Sequence, residues 1–270
     1  MRDTERLAKT IRAHALKMVA AAKASHIGSC LSCADILAVL YGEILSFNPT
    51  CPDDADRDIF IMSKGHAAAI LYAVLAESGF FPLSWLETYC CNGSVLSGHV
   101  SKHGVPGVEL STGSLGHGLS VGCGFAIAAN ADKKPSKTFV LLSDGECDEG
   151  SNWEAILCAP QFKLNNLIAI IDYNKIQSFG FVKDIINLEP FADKWRSFGW
   201  NVYEVDGHDH NALKSVFRIS AVDNVKPSVV IAHTTKGQGV SYMENELLWH
   251  YRNPNEGQLK QAIAELDKVQ

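Results

Sequence analysis

Apolar residues fall along this chain in two rhythms. Over residues 4–24, Leu7, Ile11, Ala15, Met18 and Ala22 recur at spacings of three and four, the stripe of a helix that buries one face. The run Thr138-Phe139-Val140-Leu141-Leu142 is instead continuous and bounded by turn residues, as strands buried on both faces of a parallel sheet are. A second such run closes at Ile171-Asp172-Tyr173-Asn174-Lys175-Ile176, and Asp58–Met62, Asn201–Val205 and Ser228–His233 read as further strands. Helical spacing marks Ala67–Ser78 stopped by Gly79, Leu119–Ala131, a stretch from about Asn211, and Asn255–Val269 with Leu259, Ala262, Ile263, Leu266 and Val269 on one face. Ser32 reads as the N-cap of another helix packed through Ile36, Leu37, Val39 and Leu40. Single buried strands alternating with helices predict an α/β fold, a doubly wound, mainly parallel sheet flanked by helices. The strand order stays open.

Such sheets bind ligands beyond the carboxyl ends of their strands, so the loops there carry the candidate chemistry. Asp144, in Ser143-Asp144-Gly145-Glu146, and Asn174 each follow a strand and would meet at one rim. An aspartate, an asparagine amide oxygen and a backbone carbonyl suit a small hard cation that keeps positions open for phosphate oxygens. Magnesium carrying a diphosphate is the natural occupant; a turn with a solvated rim is the plain alternative. Ser63-Lys64-Gly65-His66 turns a strand into a helix, where unpaired amides favour an anion. His66 there is either a donor to that anion or a helix cap. His26 sits between two helices, free to face a cleft, and Ser97-Gly98-His99 and the run Ser111 to Gly118 form two glycine-rich turns. Gly122 and Gly124 read as helix-packing glycines, whereas Gly113, Gly116 and Gly118 fit close approach to a ligand. The turn from Thr234 to Gly239, carrying Lys236, and Trp249-His250 complete the series.

Composition narrows the reading. With 270 residues, 47% hydrophobic and 20% charged, and no linker-like break, one domain over 1–270 is expected. Net charge −6 gives no reason to expect a nucleic-acid partner. No apolar run approaches the roughly 18 residues of a membrane span, so a cytoplasmic protein is expected. Cys30 and Cys33 form C-x-x-C and Cys90-Cys91 are adjacent, but neither has a second half at zinc-ligand spacing. Cys51, Cys123, Cys147 and Cys158 read as buried small hydrophobes.

Seven motifs, in order, resemble the diphosphate-binding N-terminal half of transketolase, a thiamine diphosphate enzyme, over nearly the whole chain. They are Ser25-His26, Ser63-Lys64-Gly65-His66-Ala67, Ser97-Gly98-His99, Ser111-Thr112-Gly113-Ser114-Leu115-Gly116, Asp144-Gly145-Glu146 through Glu149-Gly150 and Glu154-Ala155, Asn174-Lys175-Ile176, and His250. The resemblance implies thiamine diphosphate with magnesium, or calcium or manganese in its place, the metal held by Asp144, Asn174 and the carbonyl of Ile176. It implies cofactor contacts from His66, Gly113, Ser114, Leu115, Gly145, Glu146, Asn174, Lys236 and His250. His26, His66, His99 and His250 would be catalytic, with His26 and His99 facing the sugars, since neutral imidazoles can pass protons to and from hydroxyls. Glu149 and Glu154 match acidic residues near the subunit contact. The implied reaction moves a two-carbon ketol unit between a ketose and an aldose.

The family's pyrimidine-binding and C-terminal domains have no counterpart in these residues. The resemblance therefore implies one half of a split transketolase, active only with a separately encoded C-terminal subunit, in a two-plus-two heterotetramer acting on sugars or sugar phosphates. Ser143 stands where the family's cofactor signature has glycine, and Ile27, Ser114, His117, Ser178 and Lys236 depart from common single-chain transketolases. Ile27 and Lys236 are more like split or deoxyxylulose-phosphate-synthase-like relatives, while His117 and the Ser178-Phe179 pair bear on the sugar more than on the cofactor. Two other readings compete. A cofactor-binding subunit of a 2-oxo acid dehydrogenase or decarboxylase is opposed by the Ser-Lys-Gly-His and Ser-Gly-His loops. A non-catalytic regulatory subunit is opposed by the presence of both the metal set and the four histidines.

Overall fold

Residues 3–222 and 225–268 are described by the computed structural model. Strands β1 (Ile59–Met62), β2 (Thr138–Ser143), β3 (Leu167–Tyr173), β6 (Asn201–Asp206) and β7 (Ser228–His233) form one sheet, while β4 (Ile176–Gln177) and β5 (Gly180–Phe181) make a small antiparallel hairpin. The helices are α1 (Thr4–Ala22), α2 (Ile27–Ser32), α3 (Ala34–Val39), α4 (Ala68–Glu77), α5 (Gly118–Ala131), α6 (Gly150–Gln161), α7 (Val182–Ile185), α8 (Phe191–Ser197), α9 (His210–Ser220) and α10 (Glu256–Lys268).

Continuous apolar runs became central strands because both faces are covered. In β2, Phe139 and Leu141 join the core under α1 to α4, α9 and α10, while Val140 and Leu142 join the core under α5, α6 and α8. All pairings in the five-stranded sheet are parallel, in the order β1-β2-β3-β7-β6. The chain lays β1, β2 and β3 side by side, then carries β6 to the far edge and returns β7 into the gap. That reversal opens a crevice at the carboxyl ends of the strands.

Several expectations need correction. Ser32 caps no helix: it ends α2, and its hydroxyl donates to Asp172 Oδ2 at 2.6 Å. A buried carboxylate beneath it claims the donor. Gly122 is a packing glycine, since a Cβ there would lie 2.5 Å from Val140 Cγ2, but Gly124 faces outward with nothing within 4 Å. α1 ends at Ala22, where Lys23 turns left-handed with φ 50, and Val269 lies outside the described residues. Cys51 is exposed and Cys158 half-buried rather than core. Among the described residues no helix is long and apolar enough to cross a membrane.

Candidate active site

Register brings the loops together. Ser143 pairs with Asp172 and Met62 with Leu141, so Lys64, Asp144 and Asn174 all lie just past adjacent strand ends. Asp172 is the hub beneath them. Its Oδ2 accepts from the Lys64 ammonium, from Ser32 Oγ, and from Asn174 Nδ2 at 3.2 Å; its Oδ1 accepts from Thr234 Oγ1. Burial opposes both charges, yet each partner overcomes it for the other: Lys64 holds the Asp172 carboxyl below its ordinary range, and Asp172 holds the Lys64 ammonium above its own.

This hub fixes the Asn174 amide. A carboxylate only accepts, so the amide nitrogen must face Asp172 and the oxygen must face away, where it accepts from Ile176 N at 3.1 Å. Asp144 is 1% exposed and accepts from Gly145 N at 2.7 Å and from Lys175 N. Burial and the Asp172 charge push its carboxyl up to about 6. The Ile176 carbonyl accepts from Lys236 Nζ at 2.9 Å, and the same ammonium lies 3.4 Å from Ser29 Oγ and 3.1 Å from His250 Nδ1. Burial and Lys64 lower Lys236 to about 8.

Asp144, Asn174 and Ile176 therefore offer a carboxylate, an amide and a carbonyl oxygen at one cleft that Ser29, His66, Leu115, Lys236 and His250 also line. These hard oxygens, with a stand-in cation already on the Ile176 carbonyl, fit a divalent cation and the diphosphate it would carry. Among the described residues no group of three His, Cys, Asp or Glu side chains is placed to hold a metal, and this set uses one carboxylate.

Four histidines from four loops converge on the cleft. The His26 ring lies 4.9 Å from His250, 5.3 Å from His66 and 5.7 Å from His99, centroid to centroid, and His66 lies 5.7 Å from His250. His26 has φ 73, an uncommon conformation for a residue with a side chain, and its amide donates to the His250 carbonyl at 2.9 Å. Its Nδ1 is buried without a hydrogen-bond partner. Burial, then His99 and Lys236, lower His26 to about 4; burial, then Lys236, lower His250 to about 3; burial and Lys64 take His66 well below its ordinary value. These three rings are neutral at pH 7. His66 lies inside the turn Gly65–Ala67, whose N-cap position is held by Lys64.

The remaining predicted residues divide. Leu115 lines the cleft, Ser114 is exposed beside it, and a Cβ on Gly113 would lie 2.9 Å from His99 Cδ2. Gly145 borders the cleft, but the space its Cβ would take is filled by Gln177 at 2.6 Å. Glu146 is sealed, both carboxylate oxygens taken by Ser63 Oγ, Gly116 N at 3.0 Å and Ser143 N at 3.2 Å. It ties three loops to each other. Glu149, at the N-cap of α6, and Glu154, within it, are both exposed. Sequence reading missed Asp172, Ser29, Ser32 and Thr234; an acid two positions before Asn174, at the end of an apolar strand, was the available signal.

Known proteins are similar to this chain over nearly its whole length. The family described as "Transketolase, thiamine diphosphate binding domain" matches residues 3–263. Two proteins named as subunits of apulose-4-phosphate transketolase are similar along the chain. The one from Phocaeicola vulgatus is 44% identical, covering 95% of this chain and 91% of its own length; that from Actinobacillus succinogenes is 46% identical, covering 98% and 96%. The solved transketolase from Leishmania mexicana superposes with a TM-score of 0.93 at 31% identity, over 99% of this chain; this chain spans 42% of its length. The chain belongs to the transketolase family, of which it carries the thiamine diphosphate binding domain.

Proposed function

We propose that this chain is the N-terminal, cofactor-binding subunit of a two-component transketolase that moves a two-carbon ketol unit between a ketose and an aldose. The convergence of four histidines beside a three-oxygen cation site carries the reading. Asp144, Asn174 and the Ile176 carbonyl would hold magnesium, and Lys236 and His66 would face the diphosphate. Bound thiamine diphosphate supplies a carbon nucleophile able to take up and release the ketol carbons. His26, with Nδ1 unpartnered, and exposed His99 would bind and orient sugar hydroxyls. Neutral His26, His66 and His250 can accept a proton from a hydroxyl and return it.

The single domain here needs a partner carrying the pyrimidine-binding and C-terminal domains, in a two-plus-two heterotetramer in the cytoplasm. Support comes from the relatives named as subunits and from the exposed Ile127, Leu157 and Phe162 on and beside α5 and α6. Their named substrate makes a phosphorylated ketose the first donor to try. The test is His26→Ala in the reconstituted pair. Loss of turnover by about 100-fold or more, with cofactor still bound, is expected; wild-type turnover would contradict the role.

A further inference from the structure

We propose that His208, held by Asp35, is a positioning residue for Lys236, acting through the backbone of Thr235. The inference rests on the reading above that Lys236 faces the diphosphate.

The amide of Thr235 donates to His208 Nε2 at 2.8 Å. That nitrogen is thus the acceptor, and the ring proton sits on Nδ1, which donates to Asp35 Oδ2 at 2.6 Å. Asp35 also accepts from Arg12 Nη1 at 2.8 Å and Nη2 at 2.5 Å, and from His210 Nε2 at 3.1 Å. His210 Nδ1 in turn meets Thr4 Oγ1 at 2.9 Å. Asp35 and Arg12 keep 6% and 8% of their side chains exposed, so the carboxylate that fixes the His208 tautomer is itself fixed by α1.

Steric contact supports the same coupling. A Cβ on Gly207 would run into Thr234 Cγ2, and Gly207 N donates to the His233 carbonyl at 2.8 Å. The loop after β6 therefore presses directly on the turn after β7. That turn is pinned elsewhere by Thr234 on Asp172, by Gly237 N on the Gly28 carbonyl at 3.1 Å, and by Asn245 N on the Lys236 carbonyl at 2.8 Å. His208 supplies the pin at the residue before Lys236. The Lys236 ammonium must reach three partners between 2.9 and 3.4 Å, so a small rotation of the 234–236 backbone moves it off them. A hydrogen bond that orients a ligand-bearing residue from behind is commonly worth about 10-fold or more in affinity at such sites.

The experiment compares His208→Ala, His208→Gln, Lys236→Met and the double variant His208→Ala/Lys236→Met in complex with the C-terminal partner. Thiamine diphosphate dissociation constants at saturating magnesium are read beside melting temperatures. His208→Ala should weaken cofactor binding by about 10-fold, and His208→Gln should restore most of it because its amide oxygen can accept from Thr235. In the Lys236→Met background, His208→Ala should change little, since coupled residues are not additive. An unchanged constant with a lowered melting temperature would make His208 merely structural and overturn the inference, as would full additivity. If Lys236→Met itself leaves binding unchanged, the reading of Lys236 fails, and the inference with it. If only His208→Ala and His208→Gln leave it unchanged, the inference fails alone.

Discussion

The Lys64 ammonium and the Asp172 carboxylate meet with neither side chain exposed to solvent, 0% each. The pair joins the end of β1 to the end of β3, with Lys64 also donating to the Ser29 carbonyl at 3.0 Å. Removing one member strands the other charge in the interior. Lys64→Met should lower unfolding free energy by about 3–5 kcal/mol, measured by urea denaturation. A loss below about 1 kcal/mol would mean water or a neighbour compensates Asp172.

Metal removal tests the oxygen set. Asp144, Asn174 and Ile176 would grip the diphosphate through the cation, so chelation of the assembled pair should release thiamine diphosphate, and added magnesium should restore it. Asp144→Ala should bind cofactor weakly whether or not chelator is present. Retention of cofactor by the chelated wild type, followed by equilibrium dialysis, would show that the diphosphate is held without a metal.

The neutral histidines set an acid dependence. His26 and His250 have folded pKa values near 4 and 3, below the ordinary 6.5. As pH falls below 6.5 the unfolded chain takes up those protons first, so their contribution to stability is lost progressively down to about pH 3–4. Asp144, raised to about 6, works in the opposite sense over part of that range. Comparing wild type with His250→Asn cancels much of that opposing slope: the variant should lose less stability between pH 7 and 5 by urea midpoint. Equal slopes would contradict burial of a neutral His250.

Gly122 shows what close packing against the sheet requires. Its missing Cβ would meet Val140 Cγ2 at 2.5 Å, so Gly122→Ala should destabilise by about 1–3 kcal/mol. Gly124→Ala on the open face should be neutral or slightly stabilising for the chain alone. A thermal melt of both variants separates them.

The strands and most helices were legible because β2 and β3 are buried on both faces and α1 and α10 on one, which leaves continuous or periodic apolar patterns. Strand order was not, since nothing local says that β7 returns between β3 and β6. α6 escaped because a polar first turn and Pro160 blur its periodicity, and α8 because its seven residues hold only two buried apolar positions, Phe191 and Trp195. The four histidines and the Asp144 and Asn174 turns were visible as loop motifs. The hub that organises them was not: Asp172 reads as one acid in an apolar strand, and its partners Ser32, Lys64 and Thr234 lie 140, 108 and 62 positions away. Ser32 was misread as a cap for the same reason.

The central claim is that this chain works as half of a transketolase. Its most direct test is ketol transfer from a ketose phosphate by the chain alone, by its candidate partner alone and by the two together, each with and without thiamine diphosphate and magnesium. Transfer in the mixture alone, dependent on both additions, is the predicted result. Turnover by this chain without a partner, or a cofactor-loaded mixture inactive with every ketose phosphate offered, would contradict it.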